Sequence, residues 1–124
     1  MHEDQNVLVS ICVITYNQDK FIRKCLDSIL MQDVDFRYEV IVGDDCSSDS
    51  TQAILIDYQT RYPSTIVPVF SDKNTGISAN YQRVLSRCRA KYIALCEGDD
   101  FWIDSRRLQK QVDLWFCWRE CKYP

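Results

Sequence analysis

Histidine is all but missing from this sequence. The one residue, His2, sits at the N-terminus. That argues against a zinc site, and it leaves Cys46, which follows Asp44 and Asp45, without a histidine to activate it as a nucleophile. No Cys-x-x-Cys pair occurs among the seven cysteines at 12, 25, 46, 88, 96, 117 and 121. Their number is odd and several fall inside apolar runs, so they read as buried thiols of a reducing compartment. Positive charge is short as well: a net charge of −3 argues against nucleic acid as a partner. Neither an apolar signal core nor a stretch of membrane-spanning length is present. The expectation is a cytoplasmic protein, with attachment to a membrane surface through further parts left open. Repeats, linkers and low-complexity segments are also missing.

What remains is one domain's worth of ordinary globular sequence: 124 residues, 46% hydrophobic and 27% charged. Its periods alternate. Val7 to Thr15 is a nearly continuous β-branched run, as expected of a strand covered on both faces. Lys20 to Gln32 places Phe21, Ile22, Cys25, Leu26, Ile29 and Leu30 at helical spacing. Tyr38 to Val42 predicts a second strand, and the cap-rich Ser47 to Thr51 predicts a helix running to about Thr60. Ile66 to Phe70 reads as a third strand, which Pro68 pushes to a sheet edge. A helix over Ile77 to Cys88, a strand over Tyr92 to Cys96 and a last helix from about Ser105, capped by Asp104, complete the order. On the Ile77 helix, Ile77, Tyr81, Val84, Leu85 and Cys88 form the apolar stripe. Arg83 and Arg87 lie opposite and read as a solvated face. The pattern βαβαβαβα predicts a parallel sheet flanked by helices.

In such a sheet, ligands bind beyond the carboxyl ends of the strands. Three of the four ends carry distinctive polar residues: Thr15-Tyr16-Asn17, Asp44-Asp45, and Glu97-Gly98-Asp99-Asp100. The last is the most informative. A buried-looking run ends in carboxylates that resist desolvation and repel one another, a cost that an oxygen-liganded cation such as Mg²⁺ or Mn²⁺ removes. Gly98 is expected to let a bulky anion approach the backbone.

Taken together, ValIleThrTyrAsn (13–17), TyrGluValIleValGlyAspAspCysSerSerAspSerThr (38–51), AsnThrGly (74–76) and TyrIleAlaLeuCysGluGlyAspAspPheTrp (92–102) resemble the N-terminal half of family 2 glycosyltransferases. The likeness covers residues 7 to about 115. It implies the Rossmann-like GT-A fold of nucleotide-diphospho-sugar transferases, apparently truncated, with residues 1–124 forming a single donor-binding domain. The family passes a sugar from a nucleotide diphosphate, commonly uridine diphosphate, to an acceptor hydroxyl of a glycan or other molecule, with inversion. A nucleotide-sugar-binding module without transferase activity is the alternative. A signalling receiver domain would need an acidic pair after its first strand, where this chain has Tyr16-Asn17. A sugar nucleotidyltransferase would need a glycine-rich first loop, which is also absent.

Position by position, the resemblance implies that Thr15 and Tyr16 line the nucleoside pocket and that Asp45 hydrogen-bonds the base beside Asp44. A carboxylate accepts a base N–H and a tyrosine ring stacks on a base. Asn80 is a weaker candidate at the sugar-diphosphate rim. Glu97-Gly98-Asp99 stands at the family's Asp-x-Asp position, giving Glu97, Asp99 and Asp100 as ligands of Mn²⁺ or Mg²⁺, Asp99 foremost. Plain structural roles stay open: Tyr16 covering the sheet edge, Asp44 capping the next turn, Asn80 and Trp102 packing. Departures from the family are Glu97 for Asp, Ile14 and Ser105 for Pro, and Ala90 for Gly, the last costing about 1 kcal/mol if that backbone is left-handed. No residue matches the family's catalytic base. The aromatic segment with Trp115, Phe116 and Trp118 is expected to promote self-association.

Overall fold

In the computed structural model, residues 6–122 are described, with side chains as far as Trp115. The expected roles of His2, Phe116 and Trp118 fall outside the described side chains. Four strands alternate with four helices: β1 (Val7–Thr15), α1 (Ile22–Leu30), β2 (Arg37–Asp44), α2 (Thr51–Arg61), β3 (Ile66–Phe70), α3 (Ile77–Arg87), β4 (Tyr92–Glu97) and α4 (Arg107–Lys122). The sheet order is β3-β2-β1-β4 and every pairing is parallel. All four carboxyl ends therefore point to one edge. β1 lies between two partners and is buried along its length except at Leu8, which is why its β-branched run needs no polar face. Pro68 lies in β3, an edge strand, where a missing N–H is harmless.

Side-chain alternation divides the core in two. Val9, Ile11 and Val13 of β1 face α1, α2 and α4, through Ile22, Cys25, Leu26 and Ile29, then Ile54, Leu55 and Tyr58, then Leu108 and Val112. Cys12 and Ile14 face the other way, toward Val84 of α3. The chain moves outward from β1 to β3 under α1 and α2, then returns past β2 and β1 on the opposite face to form β4. The direction of winding thus reverses between β1 and β4, and the reversal opens a crevice at the carboxyl edge.

Three details of local structure depart from the sequence expectations. In α3 the buried residues are Asn80 and Val84, while Ile77 and Leu85 are 71% and 43% exposed. Asn80 Nδ2 donates to the Gly43 carbonyl at 3.0 Å. A Cβ on Gly43 would lie 2.5 Å from Asn80 Oδ1, so the glycine allows α3 its close approach. Arg83, expected on a solvated face, instead pairs with Asp45 Oδ1 through Nη2 at 3.0 Å. Ala90 has no left-handed backbone, since Asn17 and Cys46 are the non-glycine residues with positive φ among those described. Its N–H instead donates to Ser10 Oγ at 3.1 Å, and the anticipated strain does not arise. Asp44 belongs to β2, pairing with Thr15 and Phe70, so the strand runs two residues beyond the expected Val42.

The sheet also buries a carboxylate that sequence reasoning missed. Glu39, opposite Ser10 in the β1–β2 register, is 2% exposed. It accepts from Ser10 Oγ at 2.5 Å and pairs with Arg89 Nε at 2.9 Å. These partners tie the segment after α3 to the middle of the sheet. Five described cysteines are free thiols, and Cys12 and Cys88 approach to 3.2 Å between sulfurs.

Candidate functional site

A crevice of about 310 Å³ lies where β1, β2 and β4 end. Ile14, Thr15, Tyr16 and Gln18 contribute from β1 and the segment after it. Asp45 lies across from them, with Ile77 and Asn80 of α3 above and Glu97 and Asp99 at the end of β4.

Two loops are stitched together to make the first wall. Asn17, at φ 51°, offers Oδ1 to the N–H groups of Ser48 and Asp49 at 2.8 and 3.3 Å. Its own N–H donates to Ser47 Oγ at 2.8 Å, and Gln18 N donates to Thr51 Oγ1 at 3.0 Å. Asparagine tolerates the left-handed region because its short amide bonds locally. Cys46, at φ 65°, has no such device, and a left-handed L-residue costs roughly 1–2 kcal/mol. The hydrogen bonds on either side of it hold that geometry. The Asp45 N–H to Thr15 carbonyl bond, at 3.1 Å, is one of them.

Asp44 and Asp45 are adjacent but do different things. Asp44 is fully buried and accepts from Ser47 N–H, Ser47 Oγ and Gln52 Nε2 at 3.0, 2.5 and 3.0 Å. It braces the turn into α2 and does not line the crevice. Asp45, 4% exposed, does line it. Its Oδ1 accepts from Thr75 N–H, Thr75 Oγ1 and Arg83 Nη2 at 2.9, 2.8 and 3.0 Å, and its Oδ2 from Gly76 N–H at 2.8 Å. Burial works against the ionised carboxyl, but the bonds from Thr75, Gly76 and Arg83 prevail and hold it below the usual carboxylate range. Gly76 takes φ 95°, a conformation suited to glycine, which turns its N–H onto Asp45.

Gly98 does not serve as the sequence suggested. Its N–H donates to the Ile14 carbonyl at 3.0 Å, and an added Cβ would sit 2.9 Å from Thr15 Cβ. The glycine lets the end of β4 close onto β1; it is buried and offers no open backbone to an anion. Thr15, also buried, donates its hydroxyl to Gln18 Oε1 at 2.9 Å. Tyr16 is 45% exposed along the crevice, so a ring face is available to a ligand.

Glu97, Asp99 and Asp100 are exposed, so the desolvation cost that seemed to demand a cation is not incurred. Asp100 Oδ1 accepts from the Phe101 N–H at 2.8 Å, and Asp100 does not line the crevice. Among the described residues no three acidic, cysteine or histidine side chains form a metal cage. Mg²⁺ and Mn²⁺ do not need one: one or two carboxylates plus phosphate oxygens and water are their common surroundings. Glu97 and Asp99, both at the crevice, fit that donor set.

Trp102 packs: it is 6% exposed in the main core, and its backbone N–H donates to Ser28 Oγ at 3.0 Å. Phe101, its neighbour, is 39% exposed, with Lys24 Nζ 3.9 Å from its ring centre. Sequence reasoning missed Gln18, Ile77, Thr75 and Arg83. The singled-out Asn74-Thr75-Gly76 was the available signal for Thr75, since a loop motif between strand and helix brings N–H groups to a strand end.

The model of glycosyl transferase family 2 matches residues 10–116. The chain belongs to that family. An uncharacterised protein of Mycobacterium tuberculosis is 46% identical over 104 residues, covering 84% of this chain and 30% of that protein. A Bacillus subtilis protein named as a teichuronic acid biosynthesis glycosyltransferase is 32% identical over 107 residues, covering 86% of this chain and 41% of the relative. The chain thus spans well under half the length of either. Staphylococcus aureus TarS, solved in complex with UDP-GlcNAc, superposes with a TM-score of 0.75 at 27% identity, covering 86% of this chain and 30% of that one. The doubly covered parallel sheet is the GT-A fold of the glycosyltransferases.

Proposed function

We propose that the crevice binds a nucleotide-diphosphate sugar, with uridine as the nucleoside, as the donor for sugar transfer to an acceptor hydroxyl with inversion. The observation that carries this reading is the meeting of Tyr16, Asp45, Glu97 and Asp99 on one crevice at the point where the winding of the sheet reverses. The exposed Tyr16 ring stacks on the base while Asp45 accepts a base N–H. Gln18, fixed by Thr15 and Thr51, braces the floor between them. Asn80 holds α3 against β2 so that Ile77 closes the crevice from above. Asp44 acts at one remove by fixing the turn that presents Asp45.

Glu97 and Asp99 would hold Mn²⁺ or Mg²⁺ against the diphosphate, and Asp100 shapes the turn beside them. The cation would neutralise charge that grows on the leaving diphosphate during transfer. Inversion also requires a base for the acceptor proton, and the acceptor must be held in line with the anomeric carbon. We assign neither role to the described residues, so residues 1–124 act as a single donor-binding unit. A binding module without turnover is the second reading, favoured by a crevice whose functional groups all suit the donor. No helix of the described residues is long and apolar enough to cross a membrane. The free thiols support a reducing, cytoplasmic setting, and the segment around Trp115 would mediate any self-association.

Calorimetry with UDP tests this reading. Binding is expected with Mn²⁺ or Mg²⁺ and to weaken about ten-fold or more in chelator or on Asp99→Ala, the scale of a lost charge-assisted contact. Equal affinity with and without metal would overturn the metal role; no binding of UDP would overturn the nucleotide reading itself. Incubation with UDP-sugars and hydroxyl acceptors then separates the transferase from the binding module.

A further inference from the structure

The two oxygens of Asp45 are not equivalent. Oδ1 takes three donors, the Thr75 N–H and hydroxyl and Arg83 Nη2. Oδ2 takes the Gly76 N–H and keeps a further acceptor direction. The asymmetry is built from behind. Arg83 Nη1 donates to Thr75 Oγ1 at 2.8 Å, occupying the hydroxyl as an acceptor and so directing its proton to Asp45. Arg83 Nη2 also reaches Asn80 Oδ1 at 3.3 Å, and Asn80 Nδ2 donates to the Gly43 carbonyl. A line of hydrogen bonds therefore runs from the backbone of β2 through Asn80, Arg83 and Thr75 to one carboxylate oxygen. Arg83 itself does not line the crevice.

We propose that Arg83 and Thr75 are specificity-determining positioning residues: by saturating Oδ1 they leave Asp45 one acceptor for the base, which selects uracil or thymine and rejects guanine. This rests on the nucleotide reading of the crevice and adds to it the means of choosing the base. Uracil presents one ring N–H between two carbonyls, a match for a single oxygen. Guanine presents two adjacent donors, N1–H and N2–H, that together seek both oxygens of a carboxylate. Against Asp45 one of them meets an oxygen already filled, and a buried donor without an acceptor corresponds to roughly a ten- to hundred-fold loss of affinity. Cytosine carries a lone pair on N3 where uracil carries the N–H, so it faces the carboxylate with like polarity. A planar guanidinium can bond Thr75, Asp45 and Asn80 at once, whereas an ammonium cannot keep that fork.

The test compares UDP and GDP affinities, with Mn²⁺ present, in the unaltered chain, Thr75→Val, Arg83→Lys and the double variant. The unaltered chain should prefer UDP by about ten-fold or more. Arg83→Lys keeps the charge but should lower the ratio. The double variant, in which Oδ1 keeps the Thr75 backbone N–H but loses the hydroxyl and the guanidinium fork, should bring the two nucleotides within about three-fold. Thr75→Val alone leaves the ion pair in place and should move the ratio the same way by a smaller factor, so the comparison survives if the double variant does not fold. A merely structural role would weaken both nucleotides in parallel and leave the ratio unchanged, which overturns the proposal, as does equal binding of UDP and GDP by the unaltered chain. If the unaltered chain binds neither nucleotide, the underlying reading has failed, and the inference falls with it.

Discussion

β2 ends at Asp44 with Asp45 just beyond it, β4 ends at Glu97 with Asp99 and Asp100 following, and the two acidic ends lie on either side of the end of β1. Their compositions are nearly the same and their surroundings are opposite. Asp44 and Asp45 are 0% and 4% exposed and accept three and four hydrogen bonds. Glu97, Asp99 and Asp100 stand in solvent. Positive φ divides the same way: Asn17, Cys46 and Gly76 lie in the loops around Asp45, with Cys46 alone strained by it, and none falls between 97 and 100. The carboxylates at the end of β2 are buried and held at a fixed angle by several donors. Carboxylates suited to a cation are left hydrated and adjustable, because a metal replaces water more readily than it breaks a completed network.

Deleting one carboxylate from each end should expose that contrast most strongly. Asp45→Ala leaves the N–H groups of Thr75 and Gly76 and the Arg83 guanidinium without their acceptor. Urea denaturation should show a loss of about 3 kcal/mol. Asp99→Ala removes an exposed charge and should stay within about 0.5 kcal/mol of the unaltered chain, or gain slightly as repulsion with Glu97 and Asp100 falls. Equal losses in the two variants would mean that the burial difference has no energetic consequence.

Acid should separate the ends less strongly. In the folded chain the Asp45 carboxyl sits below its ordinary value because the bonds from Thr75, Gly76 and Arg83 outweigh burial. Its stabilisation is therefore complete above the unfolded value of 3.8 and disappears as pH falls through the lowered one. Asp49 shifts the same way: its bonds from Thr51 and Asp19 outweigh burial. Stability measured from pH 6 down to pH 2 should thus fall less steeply in Asp45→Asn than in the unaltered chain, with Asp49 supplying part of the remaining slope. Superimposable acid profiles for the two chains would remove Asp45 from the account.

The fold was legible because its periods are unambiguous. The nearly continuous, β-branched run from Val7 to Thr15 has the length and composition of a strand covered on both faces, and the i, i+3, i+4, i+7 spacing of Ile22, Cys25, Leu26 and Ile29 defines one helix face. Tyr16, Asp45, Glu97 and Asp99 were legible for a related reason, as polar residues that interrupt apolar runs at strand ends. Arg83 was not. Hydrophobicity placed Ile77 and Leu85 inward, but Gly43 admits Asn80 against β2 and rotates α3 by its own hydrogen bond, which a period count cannot register. Gly98 was misread because a glycine that admits a ligand and one that admits a neighbouring strand look alike in sequence. Glu39 was missed because its partners, Ser10 and Arg89, lie far away along the chain.

Cys46 offers the smallest and most selective test of the comparison. It holds φ 65° between Asp45, which faces the crevice, and Ser47, which braces Asp44 and Asn17. A glycine there adopts the left-handed region without the steric cost of a Cβ, about 1–2 kcal/mol, but loses roughly 0.5–1 kcal/mol through the greater freedom of the unfolded chain. The Cys46 Sγ contact with the Asp72 carbonyl, at 3.5 Å, is a weak bond and subtracts little. Cys46→Gly should therefore raise stability by up to about 1 kcal/mol, visible as a higher urea midpoint with an unchanged slope. A glycine at the corresponding turn of β4 is already present at Gly98, where φ is not positive and packing is the reason for it. Substituting it by alanine should instead destabilise, since the added Cβ meets Thr15 and the Ile14 carbonyl. Opposite signs for the two changes would establish that one acidic turn is strained and the other merely crowded; a loss of stability in Cys46→Gly would show that the left-handed cysteine carries no releasable strain.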